Sequence, residues 1–311
     1  MKYTGYRMKE TNMKFTEGYW EKSERANASH AMQAFVVEEI PNGMRVVAPF
    51  HKITDRAGAL DVGTITTEFT ATRKDIISVR SWHFEGYQKK EPRFELNTDV
   101  QDVTVKINDK EAVMTAGRMQ VIVDREEFQI TYMADGKVLT TCGFRNLGYM
   151  QYDRECLTKF PQENYMAARY TPYMSTELSL APGECVYGLG ERFTSFVKNG
   201  QVVDCWNEDG GTASQISYKN IPFYMTNKNY GVLVDHTDNV SFEVASEKVE
   251  YVGFSVKGEE IRFHLVYGDS MKDVIRNYTD LTGKPALPPT WSFGLWLTTS
   301  FTTNYDEETT S

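Results

Sequence analysis

Cysteine is scarce in this 311-residue sequence: four occur, Cys142, Cys156, Cys185 and Cys205, and no two form a C-x-x-C pair. No histidine stands at zinc-ligand spacing from them. Free buried thiols are therefore the expected state, with disulfides as the alternative. No uninterrupted apolar stretch approaches the roughly 20 residues that a membrane helix needs. The segment from Met1 to Phe15 is polar with scattered lysines and lacks an apolar secretory core, so a soluble, cytoplasmic protein is the expectation. No Lys/Arg block marks a nucleic-acid surface, and the formal net charge is −9. Internal repeats and low-complexity tracts are absent. The five histidines are scattered, and their spacing defines neither a Ser/His/Asp set nor a metal constellation.

What the sequence does hold is aromatic and β-patterned. Aromatic residues make up 13%, with 18 Tyr and 17 Phe. This suits an all-β core first and sugar stacking second, because aromatic side chains dominate cores anyway. From about Phe35 to Tyr267, short β-rich runs alternate with turn signals. Met44–Pro49, Ile76–Trp82, Val103–Ile107 and Met119–Val123 are examples, followed by Phe128–Tyr132, Gly231–Val234, Val240–Val244 and Ile261–Val266. Many alternate apolar with polar residues, as half-buried strands do. Asn42-Gly43, Asp135-Gly136 and Lys257-Gly258 place glycine where a turn requires positive φ. Close-spaced short strands predict a sandwich rather than a βαβ sheet.

The pattern changes at Ser270. With Asp273 three residues on, Ser270 resembles a capping box. Met271, Val274, Ile275, Tyr278 and Leu281 recur at helical spacing, and Gly283 and Pro285 end the run. One helix is predicted over about 271–282. Lys284-Pro-Ala-Leu-Pro-Pro then reads as a stiff connector at a domain boundary. Trp291-Ser-Phe-Gly-Leu-Trp-Leu reads as a buried strand with both tryptophans in a core, Thr298–Thr303 as a polar loop, and Asn304 with Glu307 as a helix start. A strand, a loop and a helix start open a β/α unit. A lone parallel strand leaves backbone groups unsatisfied, so the expectation is a chain cut inside the first unit of a second domain. The alternative is a complete protein whose tail docks on its own sandwich.

At Val186-Tyr-Gly-Leu-Gly-Glu-Arg-Phe-Thr the sequence resembles glycoside hydrolase family 31. The resemblance continues through Trp206-Asn-Glu-Asp-Gly-Gly, Tyr218-Lys-Asn-Ile-Pro-Phe-Tyr-Met-Thr, Gly231-Val-Leu-Val, Val240-Ser-Phe-Glu-Val and Pro285-Ala-Leu-Pro-Pro. The stretch from Trp291 to Glu307 looks like the first barrel strand and loop of the bacterial α-xylosidase branch. Coverage is dense from about Val186 to Glu307; before about Thr158 only the β pattern is shared. Gly-Leu-Gly-Glu alone is weak, whereas six segments in order are specific.

The resemblance implies an all-β fold: an N-terminal β-sandwich of the galactose-mutarotase-like supersandwich type, then a linking helix and the first strand of a truncated (β/α)8 barrel. The expected division is 1–268 for the sandwich, 269–290 for helix and connector, and 291–311 for the start of the catalytic barrel. The implied reaction is retaining hydrolysis of terminal α-xylosyl residues from oligosaccharides. Two carboxyl groups roughly 5 Å apart perform such a reaction. In the family both are Asp residues on later barrel strands, beyond Ser311, so no catalytic residue is assigned here and the chain alone is expected to be inactive. The alternatives are an α-glucosidase of the same family or a non-catalytic carbohydrate-binding or structural module. A sugar epimerase on a similar sandwich is a further one, but no acid and base pair is marked in the sequence. No metal or organic cofactor is implied; the expected partner is an α-linked oligosaccharide, with no nucleic acid and no membrane, and a homo-oligomer is compatible with the family.

Three residues are candidates for substrate binding. Asp209 lies in a glycine-bounded loop, where it either bonds its own backbone or, as the family implies, reaches over the barrel mouth to sugar hydroxyls. Phe301 either packs under a lid or, by resemblance, walls the non-reducing sugar's subsite and rejects a C6 hydroxymethyl by steric clash. Trp206 is either a loop anchor or a sugar contact. Glu208 departs from close relatives, which tend to be basic there. Glu191 and Arg192 are expected in a structural network, and Asp306 and Glu307 in a first helical turn. Without barrel partners, Trp291, Phe293, Leu295 and Trp296 are expected in a disordered or mispacked tail or in an oligomer contact.

Overall fold

Strict alternation of apolar and polar residues gives the fold its faces. Along Thr64–Arg73 the residues Ile65, Thr67, Phe69 and Ala71 are buried, and along Met119–Asp124 so are Met119, Val121 and Val123. The computed structural model describes residues 15, 23, 26–86, 92–153, 170–208 and 215–296. Within them the strands are, in chain order, β1 (Ala26–His30), β2 (Val36–Ile40), β3 (Gly43–Pro49), β4 (Thr64–Arg73), β5 (Ile76–Trp82) and β6 (Thr104–Ile107). Next come β7 (Glu111–Ala116), β8 (Met119–Asp124), β9 (Gln129–Ala134), β10 (Lys137–Cys142), β11 (Leu147–Asp153), β12 (Tyr170–Ser179) and β13 (Val186–Gly188). The last are β14 (Gln201–Cys205), β15 (Phe223–Thr226), β16 (Tyr230–Val234), β17 (Val240–Val244), β18 (Tyr251–Lys257) and β19 (Glu260–Tyr267).

They form three sheets. An eight-stranded sheet runs β13-β15-β16-β19-β5-β4-β3-β2, a six-stranded sheet β1-β11-β12-β18-β17-β14, and a five-stranded sheet β10-β9-β8-β7-β6. Phe263 of β19 marks where they meet. Its ring packs edge-on against Phe254 of the six-stranded sheet at 5.4 Å and against Tyr132 of the five-stranded sheet at 6.4 Å. Burial of such aromatic rings is the dominant stabilising term here. The all-β sandwich read from the sequence is therefore the architecture observed.

The outer face of the eight-stranded sheet is polar in one half and apolar in the other. A row of facing residues, Glu38, Arg45, Glu68, Arg80 and Arg262, crosses β2, β3, β4, β5 and β19. Arg80 and Arg262 stand opposite each other, and like charges there repel. Buried Glu260 lies between them and takes both, at 2.7 and 2.5 Å, together with Arg93 at 2.5 Å. In the apolar half, helix α1 (Met271–Thr282) lays Val274 and Leu281 over Ile76, Leu233 and Val266, and Tyr278 stacks on Phe223 at 4.0 Å. The Ser270 side chain accepts from the Asp273 N–H, and Gly283, at φ 97°, closes the helix, as the capping pattern predicts.

Four expectations need correction. The Trp291 segment is not a buried strand: Thr290–Phe293 form a 3-10 turn, and Trp291 and Trp296 are 70% and 67% exposed. The physical reason is that no described strand edge pairs with it. Its backbone is satisfied locally instead, with Ser292 N–H donating to Pro289 O and Gly294 N–H to Trp291 O. At Asn42-Gly43 the positive φ (56°) belongs to Asn42. Gly43 is needed for space, because a Cβ there would meet the Phe69 carbonyl. Phe128 is not in a strand but ends the turn before β9, at φ 40°. Cys142 and Cys205 are buried free thiols, whereas Cys185, also free, is only half-buried. Cys156 lies outside the described residues.

Candidate functional site

The segment that the sequence singles out, Val186–Thr226, links three strands and folds around one arginine. Gly188, Leu189 and Gly190 all have positive φ (111°, 66° and 90°). A Cβ at Gly188 would come within 2.6 Å of the Phe223 carbonyl, and one at Gly190 would meet the Lys219 carbonyl. The Gly-Leu-Gly backbone thus crosses against residues 219–223, and Leu189 and Glu191 N–H donate to Phe223 O and Lys219 O, both at 2.9 Å. Only glycine fits such an approach at these φ values; buried Leu189 is held there by packing.

This crossing delivers Arg192 to the root of the loop between β14 and β15. Its guanidinium donates to Leu189 O (3.2 Å), Gln215 O (2.8 Å), Asp204 O (2.8 Å) and the Asn220 side-chain oxygen. Asn220 in turn directs its amide N–H groups at Trp206 O (2.7 Å), Ser217 O (2.9 Å) and Asn207 Oδ1 (2.9 Å). Asn207 and Ser217 form a parallel bridge, and Ser217 Oγ donates to Glu191 O. Both ends of the loop are therefore tied to one guanidinium and one amide. A planar fork suits converging carbonyls better than a point charge does. Cys205, at the end of β14, is inert: burial pushes its thiol up to about 11, although nearby Arg192 opposes this.

Trp206, 48% exposed, stands on this root, its carbonyl fixed by Asn220. Glu208 is also exposed. Asp209 and Phe301 lie outside the described residues. The structural network expected for Arg192 is present; Glu191 joins it through its backbone, while its exposed carboxylate lies 3.9 Å from Lys219. Asn207, Ser217 and Asn220 were not singled out by the sequence. Their partners are mainly backbone carbonyls, which leave no side-chain pattern to read.

The structure also assembles two polar groups that histidine spacing did not predict. His83 Nδ1 lies 2.7 Å from Glu259, which also accepts from Tyr149 Oη at 3.0 Å. The imidazole stacks on Tyr149 at 3.9 Å and lies parallel to Phe50 at 5.8 Å. Ser78 Oγ lies 2.6 Å from His264 Nδ1, and His264 Nε2 lies 3.8 Å from Asp235. Both His264 and Asp235 are buried. Burial opposes it, but the neighbouring His264 imidazole holds the Asp235 carboxyl below its ordinary range. Among the described residues no group of three or more His, Cys, Asp and Glu could hold a metal, and no helix is long and apolar enough to cross a membrane.

A family model described as the glycosyl hydrolase 31 N-terminal galactose mutarotase-like domain matches residues 66–243. The chain belongs to this family. Within the glycosyl hydrolase 31 proteins, it is 40% identical to the α-xylosidase XylQ of Lactiplantibacillus pentosus over 96% of this chain and 37% of that protein. It is likewise 40% identical to an α-xylosidase of Emericella nidulans, over 96% of this chain and 39% of the relative. The chain thus spans under two-fifths of the length of these relatives. Among solved structures, the cycloalternan-forming enzyme of Listeria monocytogenes, in complex with a pentasaccharide substrate, superposes with a TM-score of 0.68 at 17% identity. That match covers 87% of this chain and 24% of the other, and at this identity it shows a shared fold. The glycosyl hydrolase 31 match contains the whole Arg192 root.

Proposed function

We propose that this glycosyl hydrolase 31 domain is the non-catalytic N-terminal portion of a retaining α-glycosidase that releases terminal α-xylosyl residues from oligosaccharides. The observation that carries this reading is the 40% identity to a bacterial and a fungal α-xylosidase along 96% of the chain. In this reading residues 291–311 open the catalytic barrel, and the nucleophile and the general acid lie on later strands. Asp209 reaches sugar hydroxyls from the Arg192 root, Trp206 flanks it, and Phe301 fills the space a hexose C6 group would need. An α-glucosidase is the runner-up, since much of that choice rests on barrel loops.

The test is Asp209→Ala and Trp206→Ala in the gene extended past Ser311, assayed on an aryl α-xyloside. Loss of hydrogen bonds to a carboxylate predicts a fall in kcat/KM of roughly 10-fold or more for Asp209→Ala. An unchanged kcat/KM removes Asp209 from the site. Titration calorimetry of the 311-residue chain with xylose-containing oligosaccharides addresses the module alternative: micromolar binding favours it, and weak or absent binding favours a site completed elsewhere.

A further inference from the structure

Two hairpin turns and the approaches to β6 and α1 enclose a cleft of about 560 Å³. The β4–β5 turn supplies Arg73, Lys74 and Asp75, and the β7–β8 turn supplies Gly117 and Arg118. Asp102 enters ahead of β6 and Asp269 ahead of α1. The cleft shares no residue with the Arg192 root. Its apolar lining, Ile76, Ile77, Ala116 and Met119, is buried. A cleft of this size, part apolar and part polar, falls within the roughly 300–1,000 Å³ of small-molecule sites.

Local sequence fixes the rim. β4 carries an extra residue, Thr72, between the pairs Ala71–Ile77 and Arg73–Ile76. Such a bulge bends the strand and re-aims the side chains beside it. Asp75 follows in a left-handed conformation, at φ 60°, with its carboxylate buried. Arg118 holds that carboxylate with a two-pronged fork, Nε and Nη2 each donating to one oxygen at 2.9 Å. Its Nη1 donates to Asp269 at 2.5 Å and to Asp135 at 3.3 Å, and the guanidinium lies 4.7 Å over the Tyr267 ring. Arg73 donates to Asn97 O at 3.1 Å. These donors and acceptors are therefore set before a ligand arrives, which lowers the entropy lost on binding. Lys74 and Asp102 are exposed at the edge of the cleft.

We infer that this cleft binds a short neutral saccharide. The charges of the lining decide the class. Arg73, Lys74 and Arg118 alternate with Asp75, Asp102 and Asp269, so a free anion or a free cation meets its own sign wherever it settles. A sugar hydroxyl both donates and accepts, and neighbouring hydroxyls can satisfy a carboxylate and a guanidinium side by side. The C–H face of a pyranose suits the apolar lining. The described lining includes no aromatic ring, so stacking adds nothing and millimolar affinity is expected. The choice of an α-xyloside as the probe rests on the reading of this domain as part of a glycosidase; the chemistry of the cleft does not.

Titration of the isotope-labelled 311-residue chain with methyl α-xylopyranoside, followed by amide NMR shifts, tests this. Saturable shifts are expected at Lys74, Asp102, Gly117 and Arg118. Lys74→Ala combined with Asp102→Ala, both at exposed positions, is expected to keep the melting temperature and to weaken binding several-fold. Absence of saturable shifts at these amides overturns the inference. So do shifts confined to the Trp206 root, and so does unchanged binding in the double variant. Equal shifts on adding inorganic phosphate or calcium chloride alone assign the cleft to an ion and also overturn it. The two readings fail separately. If the gene extended past Ser311 yields a protein that cleaves no α-glycoside while the shifts persist, the function reading fails and the saccharide site stands. Cleavage by that protein without the shifts removes the site and leaves the function.

Discussion

Arg192 and Asn220 meet at the root of the β14–β15 loop, where one guanidinium nitrogen donates both to the Asn220 side-chain oxygen and to the Asp204 carbonyl. Neither residue is a candidate for chemistry, yet together they fix both strands of the loop that carries Trp206.

Replacing Asn220 by Ala removes the donor to Trp206 O and Ser217 O and leaves an Arg192 N–H short of an acceptor. Unfulfilled groups of this kind cost about 1–3 kcal/mol in total. Urea denaturation of the variant is expected to show that loss. Arg192→Lys is expected to lose as much, because an ammonium cannot serve carbonyls at 189, 204 and 215 at once. Wild-type stability in Arg192→Lys contradicts the fork.

Gly190 combines a φ of 90° with a backbone carbonyl in the place of a Cβ. Gly190→Ala is expected to destabilise by on the order of 1–3 kcal/mol. Gly183→Ala, at φ 73° but with nothing within 4 Å of a Cβ, carries only the conformational part of that cost. Equal losses in the two, measured by chemical denaturation, argue against a close crossing at Gly190.

Glu260 gives the fold an acid limb. Burial raises its carboxyl, but bonds to Arg262 and Arg80 outweigh burial and hold it below the usual range. A depressed folded value means the contribution is present in full above the unfolded value of about 4.3 and is lost as pH falls through the folded one. The stability gap between wild type and Glu260→Gln is therefore expected to be constant at neutral pH and to shrink below about pH 4. A gap independent of pH down to the acid transition refutes this role.

Strand positions were legible because the period of two survives on strands with one face in the core, as along Ile76–Trp82 and Val240–Val244, both of which match their predicted limits. The capped helix at Met271–Thr282 was legible for the same reason at its own period. The Trp291 segment does not form the strand its pattern suggests, but the exposure of Trp291, Phe293, Leu295 and Trp296 fits the expectation of a tail without barrel partners. Apolar residues signal burial without saying what buries them. The site was half legible. Gly-Leu-Gly and Trp-Asn-Glu-Asp announce themselves as motifs, but Arg192 acts on carbonyls 3, 12 and 23 residues away, which any residue type can supply. His83 and Glu259 were hidden by 176 residues of sequence, brought together only by the pairing of β5 with β19.

The central claim is that this domain shapes a glycosidase site without performing its chemistry. Its most direct test is hydrolysis of an aryl α-xyloside and an aryl α-glucoside by the 311-residue chain, beside the same gene extended past Ser311. The account predicts cleavage by the longer protein alone, with the xyloside preferred. Cleavage by the short chain at a comparable rate contradicts it and places the catalytic carboxylates within these residues.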